Sequence, residues 1–274
     1  MKFANLIPVV ILYAHTVLGQ TVRYPISIPY ISSGAYSKDF STALTVQSNA
    51  AALASLEHFG AGTYGERRFM LSELSSYSAV IAFPSRSGNF AFMADYFGYN
   101  GYNESELSIG YGRKLHNNLD IGVSFNYYQV RIPSYGKATS YNFELAAIIH
   151  INDELHTGVR VYNPFRSTLG AHNAEKLAAS YTAGVGYQPS DRFLSTLEVI
   201  KEDDRPAAIH AGIQYRPIPQ LFTSTGYKSG NTQFYVGIGY LYKQIRIDMV
   251  AGFHQYIGLS PGIMILYIPN KKGK

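Results

Sequence analysis

Between residues 119 and 128, Leu119, Ile121, Val123, Phe125 and Tyr127 alternate with Asp120, Gly122, Ser124, Asn126 and Tyr128. An extended chain sends successive side chains to opposite faces, so this pattern builds a strand with one apolar face and one small or polar face. The same alternation returns at 141–151, 155–162, 177–187, 209–216, 233–240 and 245–254. Weaker versions occupy 57–67, 75–83, 88–97, 103–114, 192–200, 220–228 and 260–269. The pattern thus predicts about fourteen strands, and an even number of antiparallel strands returns both chain ends to one side, as single-chain outer-membrane barrels do.

A soluble β-sandwich could bury the same apolar faces, so the opposite faces decide between the two. Here they carry Gly, Ser and Thr with isolated charges, and only 15% of all residues are charged. A sandwich exterior calls for far more Lys and Glu, whereas a water-lined or polar-packed lumen does not. Tyrosines also fall near strand ends, at Tyr96, Tyr111, Tyr127, Tyr187, Tyr215, Tyr227, Tyr240 and Tyr267. Aromatic belts of this kind meet lipid headgroups. After position 20 there is no run of about twenty apolar residues, which excludes a helical membrane protein. The fold class expected is therefore all-β: a transmembrane antiparallel β-barrel of the outer-membrane type, in contact with outer-membrane lipid.

The connections between the segments differ in length from one end of the barrel to the other. Short ones are expected at 84–88, 116–118, 152–154, 188–191, 217–220 and 242–243, and generally longer ones at 68–74, 98–102, 131–139, 163–176, 201–205 and 255–259, with a tight exception at Ser229-Gly230. Barrels of this class keep short turns on the periplasmic side.

The N-terminus opens with Lys2, an apolar stretch to Leu18 broken by Pro8 and His15, and Gly19. This describes a secretory leader over residues 1–19, hence export to the outer membrane of a Gram-negative bacterium. Residues 20–55 do not alternate and are expected to form a periplasmic or lumen-entering segment, partly helical near 50–56, with a flexible linker as the alternative. The barrel is assigned to 56–270. The chain has no cysteine, so neither disulfides nor thiolate metal sites are possible. Its formal charge of +5 is spread without Lys/Arg runs, which argues against a nucleic-acid partner.

Three passages resemble the FadL-like superfamily of outer-membrane barrels, which includes the PorV and PorQ proteins of type IX secretion. Ser48-Asn49-Ala50-Ala51-Ala52-Leu53-Ala54 is similar to the Asn-Pro-Ala element that precedes the first strand of that family, with Ala50 in place of its proline. Residues 107–115 and 118–124 resemble its strand–turn–strand pattern, and residues 258–263 its last loop and strand. The resemblance implies a fourteen-strand barrel and two functional classes. Classical members carry hydrophobic solutes past a substantial N-terminal hatch, whereas PorV-like members are partners of secretion machinery.

The inward list expected from the alternation is Glu144, His150, His156, Arg160, Glu198, His210, Arg216, Arg246, Asp248 and His254. No G-x-S-x-G nucleophile motif is present, so no catalytic residue is assigned. His150 with His156, and His210 with Glu198, lack recognised metal-ligand spacing, so no metal is assigned and no cofactor is expected. A network of opposite charges filling the lumen is the simpler assignment, since buried charges must be paired. The same arginines could line an anion pore, and the charged run 201–205 reads as a solvated loop tip. Size and the PorV-like resemblance point first to an accessory subunit of a multiprotein outer-membrane machine, with protein partners. A passive FadL-like channel for hydrophobic or small solutes is the alternative.

Overall fold

A computed structural model describes residue 30 and residues 34–170, 175–203, 205–231 and 233–269; the leader assigned to 1–19 lies outside them. Sixteen strands follow in chain order: β1 Gly60–Arg67, β2 Ser75–Phe83, β3 Asn89–Tyr99, β4 Tyr102–His116, β5 Leu119–Ile132, β6 Gly136–His150, β7 Leu155–Tyr162, β8 Thr168–Leu169, β9 Glu175–Lys176, β10 Ser180–Ser190, β11 Phe193–Glu202, β12 Ala208–Ile218, β13 Leu221–Lys228, β14 Gln233–Tyr242, β15 Ile245–His254 and β16 Gly258–Tyr267. Strands β8 and β9 form a small ribbon of their own, and the other fourteen form a closed barrel. Each wall strand pairs antiparallel with its chain neighbour. The seam is β1 against β16, in register from Ala61 opposite Tyr267 to Glu66 opposite Gly262. Closure leaves no unpaired edge, so the backbone polar groups are satisfied where no water reaches.

All fourteen wall strands coincide with the segments read from alternation, and most differences lie at their ends. The connections expected at 98–102 and 131–139 are mostly strand. Strands β3 to β6 run on until turns at 100–101 and 133–135 join them, making this side of the wall the tallest. The alternation assigned to 177–187 starts too early. The strand begins at Ser180, and Leu177 and Ala179 are buried rather than turned to lipid.

The outward face is apolar at mid-height, with Ile81, Phe92, Ile109, Phe125, Leu145, Leu197, Val236, Ile238, Ile247 and Ile265 all exposed. Small outward residues Thr63, Ala79 and Ala94 hollow a groove of about 730 Å³ on one side of this wall. Aromatic rings border the band at both ends. Tyr187, Tyr215, Tyr240 and Tyr267 stand exposed near the short turns, with Tyr111 packed 5.1 Å from Phe90. Near the opposite end, Tyr77 meets Tyr96 at 6.4 Å, Tyr127 meets Tyr141 at 5.3 Å and Tyr227 meets Phe234 at 4.7 Å. Among the described residues no helix is long and apolar enough to cross a membrane; the crossing elements are strands.

Residues 34–56 do not belong to the wall. They turn into the lumen as a plug containing two short 3-10 helices, Ala43–Gln47 and Ala50–Ser55. Tyr36, Leu44, Ala50 and Ala51 are fully buried there. Two wall glycines make this approach possible: a Cβ on Gly122 would collide with the backbone of Ala50 and Ala51, and one on Gly186 with the carbonyl of Tyr36. Close backbone approach of this kind is a recurrent use of glycine in strands. Apolar contact finishes the seating, because Leu44, Val46 and Leu53 pack against Val80, Ala82, Ala91, Met93 and Leu266 of the wall.

Candidate functional site

Chain segments enter the lumen from both ends and are tied to the wall through hydrogen bonds. At the short-turn end the tie begins with Asn49, which caps the second plug helix by accepting a bond from the Ala51 amide at 3.0 Å and donates through Nδ2 to the Val159 carbonyl at 3.3 Å. This is the side-chain capping expected of Asn at a helix start. The Ala50 amide donates to Glu144 Oε1 at 3.1 Å, and Glu144 is ion-paired with Arg160. Asn49, Ala50 and Ala51 therefore form the contact between plug and wall.

Further ties surround this one. Gln47 Nε2 donates to Ser78 Oγ at 2.5 Å and to Asp95 Oδ1 at 2.7 Å. Asn89 Nδ2 donates to the carbonyls of Leu53 and Leu56 at 2.7 and 2.8 Å. Ser37 Oγ donates to Gln188 Oε1 at 2.6 Å, and Lys38 Nζ reaches Asp153 Oδ1 at 2.8 Å. The Tyr30 hydroxyl donates to Asp248, which also holds Arg246 through Nε at 2.7 Å.

At the other end the described parts of the connection after β7, residues 163–170 and 175–179, fold inward as a lid. Leu169 and Leu177 bury themselves against Tyr128 and Val130, with Tyr102, Ile132 and Ala138 alongside. The lid is pinned by backbone bonds from Gly170 N to Thr139 O at 3.1 Å and from Asn163 N to Phe143 O at 2.9 Å. Arg166 grips Asp203 with two bonds, at 3.0 and 2.8 Å, and the Ala179 amide donates to the same carboxylate at 3.0 Å.

This latch carries a pH dependence. Partial burial works to raise the Asp203 carboxyl, but the hydrogen bonds from Arg166 and the Ala179 amide outweigh it and hold the group below the usual carboxylate range. A depressed carboxylate stabilises the latched state above its unfolded value of about 3.9, and that contribution is lost as the pH falls through its folded value. The lid is therefore expected to stay latched from about pH 5 to 8 and to loosen below about pH 4. Hydrogen exchange at Ser167, Leu169 and Leu177 checks this. Arg166→Ala should produce at pH 7 the loss of protection, relative to the intrinsic exchange rate, that the unaltered chain shows only in acid.

The inward charges assigned from sequence separate into clusters rather than one network. Glu144 pairs with Arg160 beneath the plug helix. Glu198 Oε2 and His210 Nδ1 lie 2.9 Å apart on neighbouring strands. Arg246 and Asp248 pair across two positions of β15, and Arg246 sits 3.6 Å over the Phe222 ring. Arg216 also lies over the Phe222 and Phe40 rings, at 4.6 and 5.1 Å, and donates to the Asp39 carbonyl at 3.2 Å. His150 and His156 contact each other near the base of the plug. His254 stands apart at the outer rim, where its ring meets Phe69 at 5.7 Å and its Nδ1 accepts from the Tyr256 and Ile257 amides.

Sequence reasoning missed a polar group between plug and lid. Tyr102 and Tyr128 donate to Glu104 at 2.5 and 2.7 Å, Tyr162 donates to Glu106 at 2.8 Å, and Asn142 links Tyr162 to Asn126 at 3.0 and 2.8 Å. Carrying the two-residue period through 103–114 would have put Glu104, Glu106, Ser108 and Gly110 on one face.

No family model and no curated protein matches this chain. Solved structures do. The CymD monoaromatic hydrocarbon channel superposes with a TM-score of 0.63 at 12% identity, covering 89% of this chain and 98% of that one. The toluene transporter TodX of Pseudomonas putida gives 0.61 at 12% identity, covering 85% and 93%. A FadL homologue of Pseudomonas aeruginosa gives 0.60 at 10% identity, covering 86% and 96%. At such identities the likeness establishes architecture: this chain has the closed, fourteen-stranded antiparallel fold of outer-membrane barrels.

Proposed function

We propose that this protein is a passive channel of the outer membrane of a Gram-negative bacterium, a member of the FadL-like superfamily that admits small hydrophobic solutes past its plug. The observation that carries this reading is the plug. A barrel stoppered by its own N-terminal segment, through hydrogen bonds that can be exchanged for water, is built to control passage. The names of the similar barrels, hydrocarbon channels and a toluene transporter, support the solute class. The fourteen wall strands pair all the way round, so passage along the axis requires the plug and lid to move.

The accessory-subunit reading rested on the PorV-like resemblance and on a small size that left few residues for a hatch. Residues 34–56 are such a hatch, and that ground for the PorV-like reading and for type IX secretion falls away. Exposed rim aromatics, Tyr135 at 88% and Phe165 at 76%, are what still favours a protein partner. Uptake of toluene into proteoliposomes separates the two. A channel is expected to accelerate uptake several-fold over empty liposomes; uptake equal to that of empty liposomes, together with a partner co-purifying in detergent, would reverse the assignment.

A further inference from the structure

His150 and His156 end β6 and begin β7, directly opposite each other across the Ile151–Glu154 turn, and both side chains face the lumen. Directly opposed strand residues have Cβ atoms about 5 Å apart, close enough for two imidazoles to share one small ligand. Their Nδ1 atoms lie 2.9 Å apart, with the rings nearly perpendicular at 80°. On the far side of His150, Nε2 lies 2.9 Å from Asp120 Oδ2 on β5, and Ser55 of the plug donates to the same oxygen at 3.3 Å. Asp120 and His156 are fully buried, yet Asp120 Oδ1 and His156 Nε2 have no hydrogen-bond partner.

The tautomers follow from these contacts. A carboxylate only accepts, so His150 carries its proton on Nε2 and presents a lone pair at Nδ1. His156 must then donate from Nδ1, which leaves its buried Nε2 as an acceptor with nothing to accept. A carboxylate behind a histidine whose other nitrogen presents a lone pair is also the arrangement that orients a metal-binding imidazole.

We propose that His150 and His156 bind a d-block divalent cation through their paired Nδ1 atoms, with Asp120 orienting His150. Two nitrogens 2.9 Å apart fit neighbouring positions around an ion with bonds of about 2.0–2.1 Å at right angles, the square or tetragonal preference of Cu²⁺ and Ni²⁺. On binding, the proton on His156 Nδ1 moves to Nε2, so both rings stay neutral and both Nδ1 lone pairs face the ion. No set of three His, Asp or Glu donors converges among the described residues, so water completes the shell. Asp153, in the turn between the histidines, is near enough to His156 for their charges to interact and is held by Lys38 of the plug. The ion would sit where the plug meets the wall.

The test titrates Cu²⁺ into the tag-free full chain in detergent, followed by electron paramagnetic resonance, with heat-modifiable gel mobility confirming the folded barrel in every variant. One tightly bound equivalent showing hyperfine coupling to two imidazole nitrogens is expected. His150→Ala and His156→Ala should each weaken it at least tenfold, and Asp120→Asn should weaken it roughly 10–100-fold, the range for carboxylates that orient a ligand. His116→Ala, on a rim histidine bonded to Asn118, should change nothing. Equal affinity in the unaltered chain and the His150→Ala/His156→Ala double variant would overturn the proposal, as would loss of the signal with His116→Ala alone.

Discussion

Removing residues 34–55 is expected to convert a silent barrel into a conducting one. The wall does not need the plug for its own hydrogen bonds, because each wall strand pairs with two neighbours and the β1–β16 seam closes without it. What the deletion removes is the filling: the buried Tyr36, Leu44, Val46, Ala50, Ala51 and Leu53. What it exposes is polar, including Glu144, Arg160, Asp95 and Asp120, so water will enter the vacated space. In planar bilayers the unaltered chain should show at most rare openings, and the deletion variant a sustained conductance at least tenfold higher on average. Arg166→Ala in the deletion background should raise it again by freeing the lid. A deletion variant that folds, as judged by heat-modifiable mobility, and yet stays silent would mean that the plug is not what closes the lumen.

The wall was legible in the sequence because the membrane imposes one constraint on it many times over. Lipid outside demands an apolar residue at every second position, and that demand is the same for Ile121 on β5 as for Ile247 on β15. The plug has no such external reference. Its partners are wall glycines and buried polar groups, and Gly122 looks like any small inward residue until Ala50 is found lying on it. Only Asn49 carried a local signal, as a helix cap ahead of an alanine run. Leu177 shows the opposite failure. Counting back from Tyr181 in twos sends it to lipid, but the strand has ended and the lid draws it inward against Tyr128. Glu104 and Glu106 were within reach of the same two-residue period and were passed over, because β4 was placed as a strand without its faces being assigned. Alternation assigns the charges a face and nothing more. Which of them meet depends on the register between strands, and that set His210 beside Glu198 rather than beside the paired His150 and His156.

Register also determines the largest stability effect expected from one side chain. Arg246 and Asp248 both point into the lumen from β15, with Asp248 fully buried and Arg246 nearly so, and they join through the guanidinium Nε at 2.7 Å and Nη2 at 2.5 Å. Tyr30 donates to the same carboxylate, and the Phe222 ring lies under the guanidinium. Replacing Arg246 with Met keeps much of the volume over Phe222 but leaves Asp248 as a buried charge without its counter-ion. Breaking a buried pair from one side costs about 3–5 kcal/mol, whereas replacing both partners with apolar groups costs far less or nothing. Arg246→Met alone should therefore lower the unfolding free energy, measured by urea titration in lipid vesicles, by about 3–5 kcal/mol, and Arg246→Met/Asp248→Leu should recover most of that loss. The plug makes the comparison sharper, since Tyr30 loses its acceptor only in the double variant. If the double variant regains barrel stability but protease reaches the 34–56 segment faster than in the unaltered chain, the Arg246–Asp248 pair serves mainly to anchor the plug. Equal losses in the single and double variants would show instead that the pair is held together by packing around Phe222 and that its charges contribute little.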